Sequence, residues 1–347
     1  MQTKYQFTTL SHNPEYFEEV VSLIEKEFHY GQQHSFIKDF ALLMDPSNFE
    51  NCWLYVDQSC NQVIAHIAFC PRKMIKDEKI LDIAFIGGIA THKDYRKQGL
   101  FNSLLGKILE ENKNEFALFI LWSDIKGLYE KYNFYHGGGL IETGSTVIAL
   151  NDRPNGFTKT KFNELDTENF EAIKNLYANF NQKYFFTTKR SEKDWSIIKE
   201  MDSIDLFVRR DAEENIIQYF CINKGRDLTG VIHECSTTPE LYLQLVNDLK
   251  RYRLWLPESD AHLIKNAQLF YSSYMKIGAI DKLEIFLKEL DPNIQSLTKN
   301  DKIELTHNNQ TYLLEELDFI QAIFGPTIAD EFKHLKLSPY IPGTDSV

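Results

Sequence analysis

The stretch Ile86-Gly87-Gly88-Ile89-Ala90-Thr91-His92-Lys93-Asp94-Tyr95-Arg96-Lys97-Gln98-Gly99-Leu100-Phe101 constrains this chain more than any other. It reads as a β-strand, a short polar loop and then an amphipathic helix, because Leu100, Leu104, Leu105, Ile108 and Leu109 recur on one helical face. A helix N-terminus leaves backbone N–H groups unpaired and carries the positive end of the helix dipole. Such a place binds anions, phosphate above all. Gly99 removes the Cβ that would hold a phosphate away from the backbone. The charge agrees: between Lys93 and Lys107 four basic residues stand against one acid, Asp94, in a chain whose net charge is −12. Two glycines in mid-strand, Gly87-Gly88, predict a bulge or a close backbone approach.

The flanking pattern alternates helices and strands. Asn13-Pro14 starts a helix carrying Phe17, Val20, Val21, Ile24 and Phe28. Strands are predicted over Cys52–Val56, Val63–Cys70, Ile83–Ala90, Ala117–Leu121 and Thr143–Leu150, with a short helix at Gly127–Tyr132. This order gives an α/β (α+β) sandwich with a mixed sheet. The turn residues Asn151 to Gly156 mark a boundary, and a second cycle follows. It has a helix capped by Thr167, strands over Asp205–Arg210, Ile216–Asn223 and Gly230–Cys235, a helix after Thr238-Pro239 and a strand at Leu254–Leu256. Leu241, Leu245, Val246 and Leu249 repeat the spacing of Leu100, Leu104, Leu105 and Ile108. From Asp291 the pattern changes: a polar stretch, a helix with Leu314, Leu317, Ile320 and Phe324 stopped by Gly325-Pro326, and a Pro-containing tail. The domains expected are 1–150, 157–290 and 291–347.

Composition narrows the function. With 43% apolar and 25% charged residues the chain is globular. An excess of 50 acids over 38 bases argues against nucleic-acid binding and is compatible with attracting a cationic substrate. No apolar run reaches 18 residues and the N-terminus lacks an apolar leader, so neither a membrane partner nor secretion is expected. The five cysteines form no metal-like cluster and read as small buried hydrophobes of a cytoplasmic protein, with no metal expected. A homo-oligomer is left open.

The string Ala90 to Leu100, with Arg96 and Gly99 spaced as R-x-x-G, resembles the acetyl-CoA signature of the GNAT acetyltransferases. Leu128-Tyr129-Glu130-Lys131-Tyr132-Asn133-Phe134, whose Tyr129 lies 33 residues after Arg96, resembles their downstream Y-x-x-x-G-F element. Two positions depart from the pattern. Phe101 stands where Gly or Ala is usual, and Asn133 replaces a glycine, a mild change because Asn tolerates the left-handed conformation. Leu100-Phe101 looks like the variant of the enhanced-intracellular-survival (Eis-like) acetyltransferases. That resemblance implies tandem GNAT-like domains, the second degenerate, plus a short sterol-carrier-like C-terminal region. Thr237-Thr238-Pro239-Glu240-Leu241, with neither Arg nor Gly, fits the degenerate loop.

What the resemblance implies is acetyl transfer from acetyl-CoA to a primary amine of a small molecule or of a lysine side chain. Ile89, Ala90, Thr91, Arg96, Lys97, Gln98, Gly99, Leu100, Phe101, Asn102, Ser123 and Asp124 are expected along the cofactor. Tyr129 is the expected general acid, a phenol neutral and ready at pH 7. A carboxylate base on the strand is not expected: Ile83 is apolar and Asp82 points to the other face. In the Eis-like family the carboxylate of the last residue reaches the active site, here Val347, with a water chain as the other option. His136-Gly137-Gly138-Gly139 reads as a turn, and His92 and His136 as surface residues. An acyl-CoA sensor or scaffold without turnover is the competing reading. A lipid site in the C-terminal region, at about 55 residues, is disfavoured by size.

Overall fold

The computed structural model describes residues 4–146, 148, 154 and 156–347. Its first half runs β1 (Tyr5–Thr9), α1 (Phe17–Glu27), α2 (Phe36–Asp39), α3 (Ala41–Met44), β2 (Cys52–Asp57), β3 (Gln62–Lys76), β4 (Lys79–Thr91), α4 (Leu100–Glu111), β5 (Leu118–Leu121) and β6 (Tyr135–Thr143). The second half repeats the order: β7 (Thr158–Thr160), α5 (Thr167–Leu176), α6 (Gln182–Tyr184), β8 (Thr187–Thr188), α7 (Glu192–Lys199), β9 (Asp205–Arg210), β10 (Ile216–Ile222), β11 (Ile232–Thr237), α8 (Tyr242–Leu249), β12 (Leu254–Pro257) and β13 (Gln268–Ile277). The C-terminal region adds α9 (Ile280–Leu290), a separate three-stranded sheet of β14 (Ile294–Lys299), β15 (Ile303–His307) and β16 (Gln310–Leu314), and α10 (Glu316–Phe324).

The two halves share one mixed sheet of order β1-β2-β3-β4-β5-β13-β6-β12-β11-β10-β9-β7, with β8 added beside β3. β4 and β5 run parallel, as do β11 and β12, and their other neighbours are antiparallel. The halves exchange their last strands. β13 lies between β5 and β6, and β6 lies between β13 and β12. The repeat read from Leu100 and Leu241 holds for the two helices but not for Leu241 itself, which lies in the turn before α8 and outside its core. Leu100, Leu104, Leu105 and Ile108 pack α4 on the sheet, and Leu245, Val246 and Leu249 do the same for α8.

Several local expectations change. Glycines 137–139 form no turn; they lie inside β6 at the centre of the sheet. A methyl on Gly137 would meet Ile320 Cγ2 at 2.6 Å, and one on Gly139 would overlap the Glu258 carboxylate. The run is therefore a packing surface for α10 and the tail. The last strand of the first half is Tyr135–Thr143 in place of Thr143–Leu150, and most of the turn Asn151–Gly156 lies outside the described residues. The helix expected at Gly127–Tyr132 shrinks to a single turn, Glu130–Tyr132. Asp166, not Thr167, caps α5, its Oδ1 accepting from Asn169 N at 2.8 Å. His92 is buried, His136 is half-buried with its ring 4.0 Å from that of Tyr274, and Cys60 alone of the cysteines is exposed.

The glycines give a paired prediction. Gly138 holds φ +72°, and a methyl there would overlap Ser272 Oγ and lie 3.0 Å from Pro339 Cγ. Gly138→Ala should destabilise the fold by about 2 kcal/mol in urea melts. Gly106, exposed inside α4 with open space around it, should do the opposite: Gly106→Ala should stabilise by about 0.5–1 kcal/mol.

Candidate functional site

The site grows from one break in the sheet. β4 and β5 pair from Ile83–Leu118 to Ile86–Leu121 and then part. At the same level β4 bulges. Its register with β3 shifts between His66 and Ala68, opposite Gly87 to Ala90, and Gly88 takes φ +59°. Beyond the bulge, the Ile89–Thr91 edge of β4 has no β5 residue opposite it. The gap between that edge and Trp122 to Asp124, where β4 and β5 no longer pair, is the candidate cleft.

The loop expected to bind phosphate closes one end of this cleft. Lys97 and Gly99 hold φ +63° and +80°, and Gly99 is the residue before the first turn of α4. A Cβ on Gly99 would have nothing within 4 Å, so the approach to the helix N-terminus is clear. The N–H groups of Gly99, Leu100, Phe101 and Asn102 have no intrahelical acceptor. Arg96 is exposed, donates through Nε to Thr91 O at 3.3 Å, and pairs with Glu27. Lys97 is exposed beside it. Gln98 accepts from Tyr5 O–H at 2.7 Å, and Asn102 from Tyr132 O–H. Leu100 is buried under the helix, Ile89 is half-buried against the same core, and Ala90 is buried on the opposite face. A free helix N-terminus with flanking cations beside an unpaired strand edge fits a pyrophosphate with an extended amide-bearing arm.

Phe101 explains its own departure from the family pattern. Its ring stands edge-on to Tyr129 at 6.0 Å and to Tyr132 at 5.6 Å. Gly or Ala would leave that space empty. Asn133 takes φ +59°, the conformation a glycine would supply. Tyr129 itself is buried, and burial pushes its phenol up to about 12, while the neighbouring Ser123 hydroxyl pulls the other way. Ser123 Oγ also accepts from Ile125 N at 3.1 Å, and Asp124 is exposed at the cleft mouth.

The other face of β4 holds the chain terminus. A methyl on Gly87 would lie 2.7 Å from the Val347 carboxyl carbon and 3.0 Å from its oxygen. Only a glycine lets the Val347 backbone rest on the strand at that level. Leu43 Cδ2 lies against both Gly87 and Gly88. His66 also belongs to this face, and sequence reasoning missed it. Its Nδ1 is 2.7 Å from Gly88 O, so it donates there and holds the bulge. Burial lowers the imidazole to about 4, and Nε2 has no partner among the described residues. The signal available was its place opposite the double glycine, legible only once the register is known. Asp82 and Ile83 offer no base here: Ile83 is buried in the core, and Asp82 lies 4.0 Å from Lys282.

The second half has the corresponding gap, and side chains of that half and of the C-terminal tail fill it. β11 and β12 share one register pair, Ile232–Leu254. Beyond it the carbonyl of His233 accepts from Tyr340 O–H at 3.3 Å and that of Cys235 from Asn181 Nδ2 at 3.2 Å. Phe180, Phe185 and Tyr340 pack there with Tyr242. Among the described residues no group of His, Cys, Asp and Glu could hold a metal ion, and no helix is long and apolar enough to cross a membrane.

Residues 11–137 match the family model of an acetyltransferase (GNAT) domain. No curated protein matches the chain. Similar solved structures include an Enterococcus faecalis V583 protein described as a "Probable N-Acyltransferase", 13% identical, with a TM-score of 0.58, covering 90% of this chain and 85% of that one. A GCN5-related N-acetyltransferase from Anabaena variabilis has 13% identity and a TM-score of 0.57 over the same shares. One from Kribbella flavida has 11% identity and a TM-score of 0.56 over 89% and 84%. The chain therefore shares its fold with these structures over nearly its whole length.

The filled second gap sets the stoichiometry. Calorimetric titration with acetyl-CoA should give one site per chain, and a value of two would mean that the aromatic filling opens.

Proposed function

We propose that the chain is an acyl-CoA-dependent N-acyltransferase that moves an acetyl group directly to a primary amine of a cationic acceptor. The observation that carries this reading is the terminal carboxylate of Val347 resting on Gly87, at the bulge of the strand that lines the cleft. The GNAT domain match and the fold supply the acyl-CoA side. On this reading the residues from Ile89 to Asn102, with Ser123 and Asp124, line the donor, and residues 1–150 form the donor-binding domain. Residues 157–290 form a degenerate partner, and residues 291–347 a C-terminal region whose tail completes the site.

Three proton and charge problems must be solved. The acceptor amine is protonated at neutral pH and must lose a proton, for which the Val347 carboxylate is the base. The thioester oxygen gains negative charge, and backbone N–H groups freed at the bulge can face it. The leaving sulfur must be protonated, and Tyr129 holds its proton firmly enough to carry it at any physiological pH.

The decisive assay is thiol release from acetyl-CoA with a panel of amines. Release should require an amine, and Tyr129→Phe should lower kcat at least tenfold while the KM for acetyl-CoA changes less than about threefold. Binding without release for any amine, lysine peptides included, would favour a sensor. The pH profile adds a second test. Because burial holds Tyr129 protonated to about 12, kcat should show no alkaline fall between pH 7 and 10. A fall centred in that range that is also present in Lys224→Met would mean that Tyr129 is not the acid.

A further inference from the structure

The tail that ends at Val347 crosses the seam between the halves, and its approach is fixed by charge. Asp345 is fully buried. Its Oδ1 accepts from Arg72 Nη2 at 2.7 Å, and its Oδ2 from Thr188 Oγ1 at 2.6 Å and Arg190 Nη2 at 2.8 Å. Burial alone would raise the Asp345 carboxyl; the Arg190 and Arg72 guanidiniums outweigh it and hold it below its ordinary value. Arg190 is anchored in turn. Its other side donates to Glu234 at 3.0 and 2.6 Å, and its plane lies 3.9 Å from the Tyr177 ring. Arg72 also pairs with Asp194. One residue further on, Lys224 Nζ donates to Gly343 O at 2.7 Å, Ser346 O at 2.6 Å and Ser346 Oγ at 3.0 Å. Gly343 fits only as glycine, since a methyl there would overlap Leu228 and lie 2.6 Å from His233 Cγ.

A buried charge network is a poor source of stability, because desolvation offsets most of the attraction. Its best attested use is to fix one register against others. Here the register is that of a chain end. Val347 lies two positions after Asp345, so its carboxylate sits within about 7 Å of the anchor, and a one-residue slip would move it by about 3.5 Å. Except for Arg72 on β3, the anchoring residues named belong to the second half.

We propose that the second half, whose β11–β12 gap is filled by side chains, serves as a clamp that sets the C-terminal register. Asp345, Arg190 and Lys224 are positioning residues for the Val347 carboxylate. This rests on the reading of Val347 as the base, and the test separates the two. Three full-length variants are compared with the parent: the chain lengthened by one glycine after Val347, Lys224→Met and Asp345→Asn. For each, kcat, the KM for acetyl-CoA, the melting temperature and the response of kcat to added formate are measured.

All three should lose at least tenfold in kcat with the KM for acetyl-CoA within threefold, and formate should restore part of the rate in the variants but not in the parent. A role confined to stability would not yield to a small carboxylate. If the lengthened chain keeps the parent kcat, the base reading falls and the clamp with it. If it is impaired while folded Lys224→Met keeps the parent kcat, the clamp falls and the base reading stands. Loss of kcat in Lys224→Met without formate rescue also overturns the clamp. Should Asp345→Asn fail to fold, Lys224→Met decides, because it removes a buried amino group whose four bonds to the tail go to three carbonyls and one hydroxyl.

Discussion

The pairing of β6 with β13 is the constraint from which the rest of this structure follows. The two strands run antiparallel from Gln268–Glu142 to Met275–Tyr135, and each also completes the other half's sheet. Neither half can close its sheet alone. The strand that borders β5 on the edge away from the cleft comes from residues 268–277. Three successive glycines let α10 and the tail press onto β6 where a side chain would hold them off. The C-terminal region is thereby seated on the seam, and the chain end is delivered to β4.

The same architecture produces two gaps and leaves one open. Parallel strands part wherever one bends away, and each half has such a point, after Ile86 and after Ile232. In the first half the loop that follows β4 carries Arg96, Lys97 and Gly99, and among the described residues the one side-chain bond to the Ile89–Thr91 backbone is that of Arg96 to Thr91 O. In the second half Thr238-Pro239 replaces the loop, and Tyr340 and Asn181 satisfy the exposed carbonyls. Unpaired backbone groups cannot stay buried without partners. A gap that has lost its ligand must be filled from within, and the aromatic cluster does so.

Much of this was legible in the sequence, through local signals. The bulge at Gly87-Gly88, the left-handed Gly99 and Asn133, and the matched helices α4 and α8 each follow from residue type and spacing. What escaped depended on distant partners. Strand exchange has no local signature. A glycine run looks like a turn until α10 and Glu258 are known to lie against it. His66 is an ordinary strand residue until the register puts it beside Gly88. Arg72, Arg190, Glu234 and Asp345 are far apart in sequence and meet only in the folded chain.

Tyr129 shows how burial can serve the proposed chemistry instead of opposing it. A phenol near 12 facing a thiol of ordinary pKa about 8.5 would transfer its proton uphill by about 5 kcal/mol if the thiolate stood in water. The sulfur would leave into the same pocket, among Phe101, Phe134 and Tyr274, and the low polarity that raises the phenol also raises the thiol. The gap between donor and acceptor therefore narrows as the site closes over its substrate. The cost would fall on a water-filled cleft and be relieved in a dry one. Phe101, where the family pattern has a small residue, supplies part of that dryness by standing edge-on to the phenol ring.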